Sequence, residues 1–278
     1  MKILTFVFLL TILFYNSNET NENIPEENTF VVTYKTQFKR FKSKPYRGTH
    51  SSKLFISGDK SVFLDEKLAQ LAAIERESLP GIDKANKIQS VGYPEFTYII
   101  KKDHRIQHSL FIQEHLRKEH IAYEEPLMNS NLWNILSDTS TVAGLLSYKA
   151  ICTFGGRNWT AWFTPEIPIS EGPYKFSGLP GLIIRLDSED GDYNFTLSGV
   201  ERLNDLTGIP PLPDHIIVSK MKFFELLKLS ANPVLRMESN GGHLGGIKLN
   251  GKVLTREEWI HHLDKEIADK NHIENFND

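Results

Sequence analysis

Only one cysteine stands in 278 residues. That lone thiol, Cys152, excludes an intrachain disulfide framework, a cysteine zinc site and a cysteine-held iron–sulfur cluster. An excess of one charge is missing as well. The 32 Lys and Arg nearly balance the 35 Asp and Glu, a net charge of −3, so no basic surplus argues for nucleic-acid binding. No G-x-S-x-G elbow and no H-E-x-x-H pair occurs. No internal repeat, Pro/Ser-rich linker or block of like charge divides the chain. What is present is ordinary for a globular domain: 40% hydrophobic residues, 24% charged and 18 Gly. A chain of this length buries about three quarters of its unfolded surface without a metal or disulfide staple.

The start of the chain reads as an address. Met1-Lys2 precedes the apolar run Ile3–Tyr15 and polar Asn16-Ser17-Asn18, the layout of a secretory signal peptide. The run is shorter than the ~20 residues of a membrane-spanning helix, and no later stretch is apolar enough to span. The expected organisation is a signal peptide over residues 1–17 and a flexible leader over 18–28. A single domain over 29–270 and a C-terminal tail over 271–278 follow. Once the signal is cut, no membrane-spanning segment is left, and the protein is periplasmic or secreted.

Turn signals then recur at hairpin spacing. Ser57-Gly58-Asp59-Lys60 separates Leu54–Ile56 from Ser61–Phe63, and Lys102-Asp103-His104 separates Phe96–Lys101 from Arg105–Ile112. Gly155-Gly156, Asp190-Gly191 and Asn250-Gly251 each sit between two apolar runs. Short turns between consecutive strands make antiparallel neighbours. Helices are expected over Asp65–Ser78, stopping at Pro80-Gly81, and over Val218–Leu229. A third opens at the capping box Thr255-Arg256-Glu257-Glu258. The fold class is α+β: a mainly antiparallel, strongly curved sheet with about three helices. A half-barrel like that of envelope lipoprotein carriers is one form by analogy.

Candidate chemistry is thin. Gly246–Lys252 has phosphate-loop glycine spacing, but Val253 replaces the required Ser or Thr and a hairpin already uses the glycines. His261 and His262 point about 100° apart on a helix, and His104 and His108 on one strand stand about 13 Å apart, so neither pair holds one ion. Cys152 lies mid-strand among apolar neighbours, where thiols are inert. No residue set points to a catalytic site, a metal or a cofactor. The most unusual composition is Arg157–Ile169, with Trp159, Trp162 and Phe163 between Arg157 and Glu166. Trp159 and Phe163 share one strand face and Trp162 takes the other. Two readings stay open: core packing, or an aromatic wall of an apolar groove for a ligand or partner, with Arg157 or Glu166 at its rim.

Just beyond comes Gly178-Leu179-Pro180-Gly181-Leu182-Ile183. With Trp159-x-x-Trp162-Phe163-Thr164-Pro165-Glu166 before it, the block from about Ala143 to Leu186 closely resembles the GLPGLI family of exported proteins in Gram-negative bacteria. That family typically carries a cysteine where Ser147 stands here. The resemblance implies an envelope protein and no assigned activity. Gly178 and Gly181 permit backbone angles denied to other residues and Pro180 fixes one φ, so the motif reads as an architectural corner.

Together these features point to a non-enzymatic envelope module that binds an apolar small molecule or an envelope protein. Two alternatives stand beside it: an envelope hydrolase with a dispersed acidic and His site, and a scaffold of an outer-membrane assembly. A pocket with His in hydrogen-bond range of Asp or Glu favours the hydrolase, and an exposed apolar patch favours the scaffold.

Overall fold

The computed structural model describes residues 29–45, 47–116, 119–203, 208–231, 247–249, 252–269 and 273–274. The expected signal peptide and leader, the expected Asn250-Gly251 turn and most of the expected tail lie outside these. Twelve strands form one sheet: β1 (Thr29–Lys39), β2 (Arg47–Ser57), β3 (Lys60–Asp65), β4 (Tyr98–Asp103), β5 (His108–Leu116), β6 (Glu119–Pro126), β7 (Asn134–Val142), β8 (Leu145–Phe154), β9 (Arg157–Thr164), β10 (Leu182–Ser188), β11 (Tyr193–Leu203) and β12 (His215–Ile217). Their order is β12-β6-β5-β4-β3-β2-β1-β11-β10-β9-β8-β7, so the sheet does not close. Every pairing is antiparallel except β12 against β6. A separate pair joins β13 (Ile247–Leu249) to β14 (Lys252–Leu254).

The expected hairpins β2–β3, β4–β5, β8–β9 and β10–β11 are in place. Gly155 and Gly156 have φ of 59° and 70°, the left-handed pair that a two-residue turn demands. The β4–β5 turn differs from the sequence expectation. The strand continues through Asp103, because Asp103 Oδ1 accepts hydrogen bonds from the backbone N–H groups of Arg105 and Ile106 and moves the turn onward. Lys102 therefore lies in the strand.

Four helices are described: α1 (Glu66–Arg76), α2 (Gly81–Val91), α3 (Lys220–Ala231) and α4 (Arg256–Asp269). Helix α2 exceeds the expected three. Pro80-Gly81 does stop α1, but Pro80 also serves as the N-cap of α2, and Ile88 is that helix's only buried residue, too little for an apolar stripe. The capping box of α4 is reciprocal: Glu258 N–H donates to Thr255 Oγ1 at 3.1 Å and Thr255 N–H to Glu258 Oε2 at 2.9 Å.

One face of the sheet surrounds a segment of the same chain. Residues 171–177 are buried without interruption. Tyr174 packs on Tyr98 of β4 at 5.5 Å, and Phe176 on Trp159 of β9 at 4.8 Å, with 6.3 Å between Tyr174 and Phe176. Strands β4 and β9 are six steps apart, about 29 Å in a flat sheet. The sheet therefore bends around the segment. Tyr34 of β1 adds a hydrogen bond to the Ile183 carbonyl at 2.8 Å. A register shift at Thr33/Tyr34 against β11 marks a bulge, the device that bends and twists strands.

The segment ends in a corner that only glycine fits. Gly181 has φ +150°, and a Cβ there would lie 2.2 Å from the Thr164 carbonyl oxygen. Gly178 has φ +92°, and its Cβ would lie 2.7 Å from the Asn129 carbonyl carbon.

Candidate functional site

Two buried lysines fasten this inner segment, which is a loop: Glu171 and Ser177 form a β-bridge at its neck, where Lys102 sits, and Lys175 projects from its tip. Lys102 of β4 is fully buried and pairs with Glu171 on the segment. Its ammonium also donates to the carbonyls of Gly172 at 3.0 Å and Phe176 at 3.2 Å. Glu171 collects three further donors or partners: Ser61 Oγ at 2.6 Å, His104 Nε2 at 2.6 Å and the Gly172 N–H at 3.3 Å. Burial alone would raise the Glu171 carboxyl, but the Lys102 ammonium and the His104 contact outweigh it and hold it below the usual carboxylate range.

At the tip of the loop the polarity is reversed. Lys175, on the segment, reaches Glu125 of β6 at 2.5 Å and also pairs with Glu274. Tyr123 hydroxyl lies 2.5 Å from its ammonium. The rings of Phe111, Tyr123 and Tyr174 stand 4.8, 5.0 and 5.4 Å from it, within cation–π range. Lys220, at the start of α3, adds a second cation 2.7 Å from Glu125 and 3.8 Å from Glu274. Glu125 ionises more readily than usual, since Lys175 and Lys220 together overcome its burial.

Neither lysine is among the residues that motifs or local composition single out. A signal existed for Lys102: it continues the inward alternation of Tyr98 and Ile100, both buried. His104 sits in the β4–β5 turn rather than on a strand with His108, which is how it meets Glu171.

The residues singled out by sequence are spread along β9. Trp159 and Phe163 are buried at 1% and 2% exposure, facing the inner segment, while Trp162 is half-buried on the opposite face. Arg157 is buried; it pairs with Asp190 and lies 3.6 Å from Asp192, and its guanidinium is 5.2 Å from the Tyr193 ring centre. Glu166 is exposed and accepts the Leu146 N–H at 2.9 Å. Strand β9 spans about 23 Å from Arg157 to Thr164, and Glu166 follows in the turn beyond it. Ser147 is buried and donates to the Leu145 carbonyl at 3.0 Å. Burial pushes the Cys152 thiol up to about 12, so it is no nucleophile at neutral pH.

Of these five residues, Trp159 alone lines the larger surface groove, of about 560 Å³. The groove opens beside the β7–β8 register break between Ile135 and Thr139. Leu132, Trp133, Ile151 and Cys152 give it apolar surface; Asn131, Asn134, Asn158, Thr160 and Glu189 give it polar surface. A smaller groove of about 320 Å³ has His104 and Glu171 in its wall. Among the described residues no group of three or more His, Cys, Asp or Glu side chains could hold a metal ion. No described helix is long and apolar enough to cross a membrane.

A family model described as a protein of unknown function (Porph_ging) matches residues 152–185. This span runs from β8 through the buried segment into β10, inside the block that carries the GLPGLI resemblance. No curated protein matches the sequence. Among solved structures, PNGF-II in the P21 crystal form is similar with a TM-score of 0.54 and 13% identity, covering 73% of this chain and 34% of that one. Its C2 form gives 0.51 and 14%, covering 73% and 33%. The chain thus spans about a third of the PNGF-II chains it matches, and the likeness is one of fold. The LolA superfamily protein NE2245 from Nitrosomonas europaea aligns with a TM-score of 0.26 and 8% identity, covering 73% of this chain and 94% of that one.

Proposed function

We propose that the protein is an exported, non-enzymatic binding module of the bacterial envelope, periplasmic or secreted, built as a strongly curved half-barrel. Its partner is an envelope protein, seated in the groove beside Trp159. The observation that carries this reading is the filled interior. In a carrier of an apolar small molecule the concave face would hold the cargo; here Tyr174, Phe176 and Leu179 occupy it. The larger opening is instead at the rim, half polar and half apolar, where β7 parts from β8. Such a mixed wall suits an extended protein segment better than a lipophile. The Gly178–Ile183 motif serves as architecture for the inner segment, supported by the contacts its glycines would lose.

The His104–Glu171 contact is the feature a hydrolase would draw on. Ser61 and His104, however, both bond to the same carboxylate oxygen. The carboxylate stands between them, no hydrogen bond joins hydroxyl to imidazole, and Ser61 is fully buried. A nucleophile needs the base as its neighbour, so this cluster acts as an anchor.

Ile151 and Leu132 are 37% and 48% exposed, so Ile151→Glu and Leu132→Glu change the groove with a stability cost within about 0.5 kcal/mol. Native mass spectrometry of protein purified from its own envelope should show a bound partner in the wild type and its loss in either variant. A partner retained at wild-type level by both variants rules the groove out.

A further inference from the structure

The Lys175 tip of the inner segment has the composition of a carboxylate site with its occupant supplied by the chain's own tail. Lys175, Lys220 and Glu125 come from the segment, α3 and β6, leaving one positive charge in excess. Glu274 cancels it, pairing with Lys175, accepting the Tyr174 hydroxyl and lying 3.8 Å from Lys220. Glu274 is 3% exposed, and Ile273 beside it is 6% exposed and packs into the main core. The wall admits the pair through an absent side chain: a Cβ on Gly155 would lie 2.6 Å from Glu274 Cγ and 3.1 Å from its Cα. Without Glu274 the cage keeps its walls, because Lys175 and Lys220 still share Glu125. What would remain is a surplus positive charge shared by buried Lys175 and half-exposed Lys220, and a Tyr174 hydroxyl lacking its acceptor, an arrangement that favours an incoming carboxylate.

We propose that this cage is a receptor for an acidic side chain of a partner protein, within a segment where an apolar residue precedes Glu, and that Glu274 is the occupant it competes with. The site shares no residue with the groove of the proposed function and stands or falls separately. A tethered occupant acts at an effective concentration in the millimolar range, so the unmodified chain masks the site.

The test uses the full chain carrying Ile273→Ser/Glu274→Ser and a labelled, end-blocked pentapeptide His-Ile-Glu-Asn-Phe, with a second peptide in which Gln replaces Glu. The Glu peptide should bind the variant at least about tenfold more tightly than the wild type, and at least about tenfold more tightly than the Gln peptide does. Equal binding of the two peptides by the variant, or no gain over wild type, overturns the proposal. Should the variant fail to fold, trypsin acting after Lys270 of the wild type gives the answer instead. Saturating Glu peptide, but not Gln peptide, should speed release of residues 271–278 by about threefold or more, since it traps the displaced state; an unchanged rate overturns the proposal.

Discussion

The two anchors of the inner segment solve the same problem in opposite ways. At the neck of the loop the segment supplies the anion, Glu171, and the sheet supplies the cation, Lys102. At its tip the segment supplies the cation, Lys175, and its anions come from β6 and the C-terminal tail. Buried ion pairs contribute little net stability over apolar packing, but an unmatched one is costly. The pairs therefore favour the seated loop over any placement that parts the neck from Lys102 or the tip from Glu125. They also differ in redundancy: among the described residues Lys102 is Glu171's only lysine partner, whereas Glu125 and Glu274 each have two.

The largest expected effect would break both anchors together. Gly181→Ala places a Cβ 2.2 Å from the Thr164 carbonyl oxygen at a φ of +150°, and should cost more than about 4 kcal/mol or abolish cooperative unfolding. A thermal melt close to wild type would show that the corner does not hold the segment. Next comes the contrast between the lysines. Lys102→Met strands Glu171 and should cost about 3–5 kcal/mol in chemical denaturation. Lys175→Met leaves Lys220 beside both carboxylates and should cost only about 2 kcal/mol. Equal losses would remove the distinction in redundancy; partial rescue of Lys102→Met by Glu171→Gln would sharpen it.

The smallest effect is the dependence on pH. Glu171 and Glu125 have folded pKa values below their unfolded ones, so their stabilisation is complete above about pH 4.5 and is lost as pH falls through the lower folded values. Both anchors share this acid arm. A separate arm belongs to His50 and His120, whose pKa burial lowers to about 4, helped at His50 by Lys67 and Arg40 and at His120 by His215 against a smaller opposing pull from Asp214. Their unfolded value is near 6.5, so stability falls as pH drops from about 6.5 to 4. His50 lies edge-on to Phe38 and Phe96. His50→Phe should remove about half of the slope of the melting temperature across that range, His120 keeping the rest, and leave the acid arm in place. An unchanged slope would assign the arm elsewhere.

What could be read from the sequence was local. Gly58, Gly155-Gly156 and Asp190-Gly191 name their hairpins because turn chemistry depends on adjacent residues. Thr255 and Glu258 likewise announce their cap three residues apart. The site was not local. Lys175 and Glu274 are separated by 99 positions, and nothing in the neighbourhood of either marks it as buried. Gly178 and Gly181 were recognisable as a corner, yet the corner's contents were not, since what Tyr174 and Phe176 pack against depends on strands β4 and β9. Trp159 and Phe163 were placed on their correct shared face by alternation alone. Periodicity chooses a face; whether that face looks onto a ligand or onto the chain itself is decided by topology.

The central seam of the sheet, β1 against β11, joins residues as distant as Thr29 and Leu203. On either side of it most neighbours follow one another in sequence, strands β1–β6 on one flank and β7–β11 on the other. During synthesis or export the first flank emerges with the far side of β1 bare, and it must wait for β11. Long-range pairing of this kind slows folding, and an uncovered strand edge invites pairing between molecules. The step most exposed to aggregation is therefore the wait before the two flanks meet, and a chaperone that shields β1 would raise yield without altering the finished molecule.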